Sequence, residues 1–293
     1  MAQSSRSSRP PRSLRHYSSH TRHFIKKLGC KPSELLHFIL VYDPKHKNKV
    51  YSRSSHHPAM TLHKPLKLLE KRTPRITLFS KKNELIHILS QNKKGYAVFM
   101  EINNRETWKS EFKKIRAQFI DVDLNKISEQ FHTNEQAQQR IESLQADPAE
   151  QLLSITIKRN KQGLYRLLAE RTRERVAYLK KEYIKKYKRR IKDTLIIETK
   201  NGYHIYWVLQ GGSINKFVPI QKALAQKFSS DPVITNLSRV MRVPGFYHMK
   251  NPESPFMVRI KQWGRKKSFT QKELVRSLAL KPAFTARSRK NAH

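Results

Sequence analysis

Two carboxylates, Asp121 and Asp123, follow the apolar pair Phe119-Ile120, which places them at the end of an expected buried strand. Residues two apart on a strand point to the same face. Carboxylates held together repel each other unless a cation neutralises them, and hard divalent ions prefer oxygen ligands. Such a pair suits nucleotidyl transfer, in which metal ions bridge the phosphates. Taken alone, the pattern favours a plainer alternative, two exposed acids at a strand end.

A histidine, His204, follows the Asn201-Gly202 turn within a run of aromatic and apolar residues. On a strand it would share a face with Tyr206 and point away from Tyr203. An imidazole in this position could donate a hydrogen bond to a phosphate oxygen. For an isolated histidine, a satisfied side chain on a half-buried strand is the favoured alternative.

A third segment begins with one acid, Asp231, and continues across a Pro244-Gly245 turn. Four side chains able to contact phosphates follow at fixed spacing: Arg239, Arg242, His248 and Lys250. Arginine offers a planar fork for a phosphate or a face for stacking on a base. The alternative is an ordinary strand with solvated arginines.

The elements that would carry these residues are predicted from short apolar runs. Strands are expected at 38–42, 96–102 and 116–123, and a hairpin at 195–209, because Asn-Gly between two such runs tolerates positive φ. Helices are expected at 217–228 and 271–280. The sequence therefore predicts an α/β fold of the α+β type.

Residues 126–192 are predicted to form a long basic helical insertion. Fifteen Lys and Arg stand against three Glu between positions 158 and 192. Apolar and aromatic residues fall near one helical stripe: Leu164, Leu168, Val176, Leu179, Tyr183, Tyr187 and Ile191. The ends of the chain, 1–23 and 263–293, are also basic and are expected to be a disordered arm and a short helix with a basic tail.

The composition points to a polyanionic partner. The chain has 293 residues, with 61 Lys and Arg against 22 Asp and Glu, a formal net charge of +39. Such a charge favours nucleic acid, because contacts with phosphates release counterions. The single cysteine, Cys30, excludes an internal disulfide and a cysteine zinc cluster. No apolar run is long enough for a transmembrane helix. Anionic membranes and acidic proteins are the plainer alternatives to nucleic acid, and no membrane is expected among the partners.

Taken in order, the three motifs resemble the archaeo-eukaryotic primase superfamily, specifically RepB-like plasmid and phage primases related to primase-polymerases. That family has Asp-x-Asp/Glu at a strand end, then Ser-x-His, then an Asp followed by Arg-x-x-Arg-x-Pro-Gly and a basic residue. Here the matching positions are Asp121, Asp123, Gly202, His204, Asp231, Arg239, Arg242, Pro244, Gly245 and Lys250. The resemblance implies a primase-like catalytic domain over 24–262.

The resemblance also implies a reaction and a set of roles. Asp121, Asp123 and Asp231 would bind one or two Mg²⁺ or Mn²⁺ ions, and His204 would contact the phosphates of an incoming NTP or dNTP. The triphosphate or the single-stranded DNA template would be held by Arg239, Arg242, His248 and Lys250. The expected function is primer synthesis for a plasmid, phage or integrative element in the bacterial cytoplasm, with a separate replicative helicase as a further partner.

Two departures from the family pattern leave alternatives open. Gly202 replaces the usual Ser, and Asn236 stands where many plasmid members have Asp. These changes are compatible with a catalytically inactive initiator or DNA-binding protein that keeps the fold. A strand-nicking relaxase would need a His-x-His metal pair, but the neighbours His56 and His57 would point to opposite faces of a strand.

Overall fold

The structure is a computed structural model that describes residues 17–30, 36, 38–42, 88, 89, 91–105, 112–251 and 253–283. Its elements are, in chain order, α1 (Ser18–Lys27), β1 (Phe38–Tyr42), β2 (Tyr96–Glu101), β3 (Asn104–Arg105), β4 (Phe112–Asp123), β5 (Lys126–Phe131), α2 (Asn134–Ala146), a 3-10 turn (Pro148–Glu150), β6 (Leu152–Arg159), β7 (Tyr165–Arg171), α3 (Arg173–Ile191), β8 (Leu195–Glu198), β9 (Gly202–Gly212), α4 (Ile214–Lys227), β10 (Val240–Arg242), β11 (Tyr247–His248), β12 (Phe256–Met257), β13 (Arg259–Gln262) and α5 (Gln271–Ser277). The predicted mixed α/β class is confirmed.

A five-stranded antiparallel sheet in the order β13-β8-β9-β4-β3 forms the centre of the molecule. The first eight residues of β9 are all buried, because other elements cover both faces of the sheet. On one face, Tyr183 of α3 lies 6.5 Å from Tyr203 between ring centres. On the other face, Phe24 of α1 packs 5.5 Å from Tyr206. The catalytic candidates therefore sit on a strand pair that is held from both sides.

Gln221 of α4 fixes β4 just before the predicted acids. Its side-chain oxygen accepts hydrogen bonds from the Phe119 backbone N–H at 3.3 Å and from Gln118 Nε2 at 2.8 Å. Its Nε2 donates to the Phe119 carbonyl oxygen. These buried bonds satisfy polar groups that would otherwise destabilise the core, and they hold the strand two residues away from Asp121.

A second, three-stranded sheet in the order β1-β2-β10 lies beside the first. Arg242 at the end of β10 is paired with Phe99 of β2. The short β11-β12 pair follows, with His248 opposite Phe256. The third predicted motif is thus divided between two small β structures joined by the Pro244-Gly245 turn.

The segment 126–192 differs from its prediction as a helical insertion. It contains the three-stranded sheet β5-β7-β6 with α2 against it, and only its last part, Arg173–Ile191, is one long helix. The sheet has a small apolar core of its own, made by Ile127, Leu144, Leu167 and Ala169. Leu164 and Leu168 fit a helical spacing, but this segment forms a β6-β7 hairpin with its turn at 160–163. The buried residues Leu167 and Ala169 alternate along β7 as expected for a strand.

Two further predictions concern the ends and the membrane. The prediction of a disordered arm over 1–23 is wrong from residue 18 onward, because α1 begins at Ser18. Residues 1–16 and 284–293 lie outside the described residues. The predicted helix after residue 263 is confirmed as α5. Within the described ranges, no helix is long and apolar enough to cross a membrane.

The buried cation Lys180 ties α3 to the turn between β8 and β9. Its Nζ lies 2.7 Å from Glu198 Oε1 and donates to the Thr199 carbonyl oxygen at 2.9 Å. We expect Lys180→Met to lower the free energy of unfolding by about 2 kcal/mol, less than for most buried pairs because Arg259 remains 2.9 Å from Glu198. Urea unfolding measures this, with Lys181→Met on the exposed side of the same helix as the control, expected to change stability by less than about 0.5 kcal/mol.

Candidate active site

The end of β4 and the start of β9 bring the first two motifs together. The antiparallel register places Asp121 opposite His204 and Asp123 opposite Gly202. Asp121 Oδ1 lies 3.6 Å from His204 Nε2, and the two side chains are 30% and 6% exposed. Directly paired residues share one face of a sheet, so Phe119 and Tyr206 line the same face. The carboxylate and the imidazole therefore lie on the same face of the sheet.

Asp231 approaches Asp121 from the turn after α4. Its backbone N–H donates to the Asp121 carbonyl oxygen at 3.2 Å, which fixes the third acid beside the first. Its Oδ1 accepts from the Val233 N–H at 2.9 Å, and its Oδ2 lies 3.9 Å from an Arg239 guanidinium nitrogen. A hydrogen bond between two segments 110 positions apart thus creates a pair of acids.

Burial and like charge control the Asp121 carboxylate. Its pKa is raised to about 6, mainly by burial; the charge of Arg239 opposes the rise, the charge of Asp231 adds to it, and Arg242 opposes it less strongly. The pKa of Asp123 is also raised, mainly by loss of solvent and then by Asp121, against a hydrogen bond from the Asn125 backbone. A nearby divalent cation would stabilise the ionised form of a carboxylate whose pKa is raised in this way.

The two predicted imidazoles are both neutral. Burial lowers the pKa of His204 to about 3, and Arg242 and Arg239 add to the effect. Burial also lowers the pKa of His248 to about 2, followed by Arg242 and Lys200. In the described part of the chain, His204 Nδ1 is buried and has no hydrogen-bond partner. His204 is therefore not the satisfied core histidine of the plainer interpretation.

Arg242 is oriented by its neighbours on β2 and β11. Its guanidinium carbon lies 4.7 Å from the centre of the Phe99 ring, and its Nη2 lies 3.4 Å from His248 Nε2. Stacking of this kind holds the planar fork in one orientation. The cation is thus aimed by the protein before any ligand arrives.

The Pro244-Gly245 turn requires its glycine. Gly245 has a φ of +97°, and a Cβ there would lie 2.5 Å from both Thr21 Oγ1 and the Tyr17 carbonyl oxygen. Thr21 Oγ1 donates to the Pro244 carbonyl oxygen at 2.7 Å. Helix α1 therefore braces the turn that separates Arg242 from His248.

The remaining predicted residues lie around this centre with different orientations. Asp123 Oδ1 accepts from the Asn125 N–H at 2.9 Å, so the carboxylate turns toward its own chain at the exposed end of β4. Lys250 lies near enough to Asp123 and His248 to lower the pKa of both. Asn236 is exposed. The His56-His57 pair lies outside the described residues.

The carboxylates partly fit a divalent metal. Asp121 and Asp231 are adjacent, and their oxygens are the donors that Mg²⁺ and Mn²⁺ prefer. Among the residues that the structure describes, no group of three or more His, Cys, Asp or Glu is arranged to hold a metal ion. In the described residues the three acids are therefore not assembled as a metal site: Asp231 is joined to Asp121 through the backbone, and the Asp123 carboxylate accepts a hydrogen bond from Asn125.

Sequence reasoning gave no role to Tyr206, which the structure places at the site. Its hydroxyl is buried without a hydrogen-bond partner in the described ranges, and its ring lies 6.4 Å from that of His204. Burial, followed by the charge of Asp121, raises the pKa of Tyr206. Its position two residues after His204 on the same strand face was a signal that could have identified it.

The fold and this arrangement agree with one protein family. The chain belongs to the RepB DNA-primase N-terminal domain family, which matches residues 118–284 and so includes every predicted site residue. The resemblance to RepB-like primases is thereby confirmed.

Solved structures similar to the chain include the AEP domain of the cyanophage S-2L primase-polymerase, with a TM-score of 0.47 and 12% identity over 90% of this chain and 100% of that one. The catalytic domain of primase RepB′ in complex with initiator DNA gives a TM-score of 0.42 and 11% identity over 94% of this chain and 95% of that one. No curated protein matches the sequence.

Proposed function

We propose that the chain is a DNA primase that synthesises short primers on single-stranded DNA by metal-dependent nucleotidyl transfer. The observation that carries this proposal is the contact between Asp121 and His204 at 3.6 Å, with Asp231 fixed beside them, inside the residues matched by the primase family. The replicon served would be a plasmid, phage or integrative element in a bacterial cytoplasm.

Asp121 and Asp231 would hold the divalent ion, and Asp123 would join them after turning from Asn125. Bound there, Mg²⁺ or Mn²⁺ would lower the pKa of the attacking hydroxyl and offset the charge on the departing pyrophosphate. Arg239 and Arg242 balance the acids when no ion is bound, which explains why both oppose the rise of the Asp121 pKa.

The neutral imidazole of His204 would position the incoming nucleotide. Because its pKa is about 3, the ring keeps one N–H donor throughout the physiological range and does not repel the arginines. A ring N–H can donate a hydrogen bond to one phosphate oxygen. Burial of the ring limits competition from water for this hydrogen bond.

The cations would divide the remaining phosphate charge. Arg242, already stacked on Phe99, presents its fork in a fixed direction, whereas Lys250 is a flexible point charge near Asp123. Together with Arg239 they would hold the triphosphate or the template backbone. The incoming nucleotide would be an NTP or a dNTP.

The test is incorporation of labelled nucleotides on defined single-stranded templates. With Mn²⁺ or Mg²⁺, the purified chain should synthesise primers made of A on oligo(dT) and primers made of G on oligo(dC). Addition of EDTA should remove all products, because the reaction needs the ion. Products that ignore the template or survive EDTA would contradict the proposal.

A second candidate, a catalytically inactive initiator with the same fold, is favoured by Gly202. A Cβ at this position would lie 1.7 Å from the Val122 carbonyl oxygen, so the serine of the family pattern has no room here. DNA binding without incorporation of any nucleotide in either metal would establish this alternative.

A further inference from the structure

Helix α3 carries a basic stripe on the side opposite its packed face. The residues of this stripe are exposed and are Tyr178, Lys181, Lys185, Lys188, Arg189 and Lys192. At 100° per residue they fall within about 100° of one another and extend over roughly 21 Å. The buried positions Val176, Lys180, Tyr183, Tyr187 and Ile191 point the other way.

The stripe works against the stability of its own helix. Lys181, Lys185 and Arg189 follow one another at intervals of four, and like charges at this spacing destabilise a helix. In the described part of the chain, none of the three has an ion pair. An anionic ligand would relieve this repulsion.

A membrane surface is excluded as that ligand by the apolar side of α3. An amphipathic helix binds a bilayer through its apolar face, and here that face is already used. Tyr187 lies 5.0 Å from Phe228, and Tyr183 donates a hydrogen bond to the Phe228 carbonyl oxygen at 2.9 Å. Only the charged side is available to a partner.

The packed side of the helix that carries the stripe contacts the turn that leads into the candidate active site. Lys180, between Tyr178 and Lys181, binds the carbonyl oxygen of Thr199 in the turn that leads into β9. Lys200 in the same turn lowers the pKa of His248 by its charge. The turn that contains Thr199 and Lys200 therefore adjoins both α3 and His248, and a DNA strand could follow it from the candidate active site to the helix.

Tyr178 distinguishes nucleic acid from an acidic protein surface. It is 54% exposed, and the Arg175 guanidinium carbon lies 5.3 Å from its ring centre. An exposed ring beside a line of lysines offers a stacking surface for a base between phosphate contacts, which is how proteins bind single strands without sequence preference. An acidic protein surface would pair with the lysines through its carboxylates and would make no stacking contact with the ring.

We propose that the α3 stripe binds single-stranded DNA, as a track for the template outside the active site. The identity of the strand as template rests on the proposed function, but the binding itself does not require catalysis. Contacts with phosphates make the track independent of sequence, and Tyr178 favours unpaired over paired bases.

The test compares two triple variants in EDTA without nucleotides. Lys181→Gln, Lys185→Gln, Arg189→Gln removes three charges from the stripe, whereas Lys222→Gln, Lys272→Gln, Arg276→Gln removes the same charges from exposed positions elsewhere. By fluorescence anisotropy with labelled oligo(dT), the stripe variant should bind roughly 10- to 100-fold more weakly at 0.1 M salt. Its dependence of log K on log salt should flatten by about 2, since each lost contact removes about 0.7.

Equal weakening in both variants would overturn the proposal, because it would show only an effect of net charge. Tyr178→Ala should weaken binding to oligo(dT) about tenfold, and Tyr178→Phe should not, since the ring remains. An equal loss on blunt duplex, with no effect of Tyr178→Ala, would overturn the assignment to single strands. A protein that binds through the stripe but makes no primers would contradict the primase proposal alone.

Discussion

In Asp121→Asn, we expect primer synthesis to fall at least about 1,000-fold while the free energy of unfolding at pH 7 rises by about 2 kcal/mol. The loss of activity follows from the removal of one of two adjacent carboxylates that would hold the metal, since 1,000-fold corresponds to about 4 kcal/mol of transition-state stabilisation. The gain of stability follows from the burial of a charge that the fold disfavours.

The sign of the stability effect follows from the two pKa values of Asp121. The carboxyl has a pKa of about 6 in the folded protein and 3.8 in its ordinary state. Ionisation therefore opposes folding above about pH 4, and the penalty is complete above about pH 6. The full shift corresponds to about 3 kcal/mol, which we reduce because the side chain remains 30% exposed.

Thermal unfolding in EDTA at pH 7 and at pH 4 checks this expectation. The variant should be more stable only at the higher pH, and Mn²⁺ should stabilise the wild type more than the variant. Glu142→Gln, an exposed acid on α2, serves as the matched control and should alter neither activity nor stability. An Asp121→Asn protein that makes primers at the wild-type rate would contradict the role assigned to the carboxylate.

In Gly202→Ser, we expect a loss of at least about 4 kcal/mol of stability, although the change restores the residue of the family pattern. A Cβ would lie 1.7 Å from the Val122 carbonyl oxygen and 2.8 Å from its carbon, and both atoms belong to the backbone of β4. A backbone cannot rotate away as a side chain can, so β4 and β9 would have to separate. His204 would then move away from Asp121, and primer synthesis would fall with stability.

Urea unfolding of Gly202→Ser and Gly29→Ala separates a collision from backbone strain. Gly29 has a φ of +70° and open space around the added Cβ, so its replacement should cost only about 1–2 kcal/mol. Similar losses in the two variants would show that the close approach of Gly202 to Val122 is not decisive. A Gly202→Ser protein with faster primer synthesis would show that the β4-β9 pair accommodates the serine side chain.

The residues that alternate along strands were predictable from the sequence. The period of two placed Asp121 with Asp123 and His204 with Tyr206, and the Asn201-Gly202 signal identified the hairpin. The physical reason for Gly202 was different, however. Its φ is not positive, and the residue serves a close approach of two strands, which depends on a partner that sequence spacing cannot reveal.

The other features could not be predicted from the sequence, because they depend on contacts between distant segments or on competing local hydrogen bonds. The bond between Asp231 N–H and the Asp121 carbonyl joins segments whose separation carries no periodic signal. Asp123 turned toward Asn125 because a short acid readily accepts a hydrogen bond from the backbone two residues later. In the insertion, Leu164 and Leu168 matched a helical period by chance, since a spacing of four satisfies both a helix and a strand.

The β5-β7-β6 unit begins and ends at nearly the same point, between the end of β4 and the start of α3. The Arg171 N–H donates to the Asn125 carbonyl oxygen at 2.9 Å, and Arg171 also contacts the Leu124 carbonyl oxygen at 3.1 Å. The two ends of the unit lie side by side, and the unit has a small apolar core of its own. Its length can therefore vary with little effect on the central sheet. It can grow, shrink or be replaced by a tight turn while the spacing between Asp121 and His204 stays as it is.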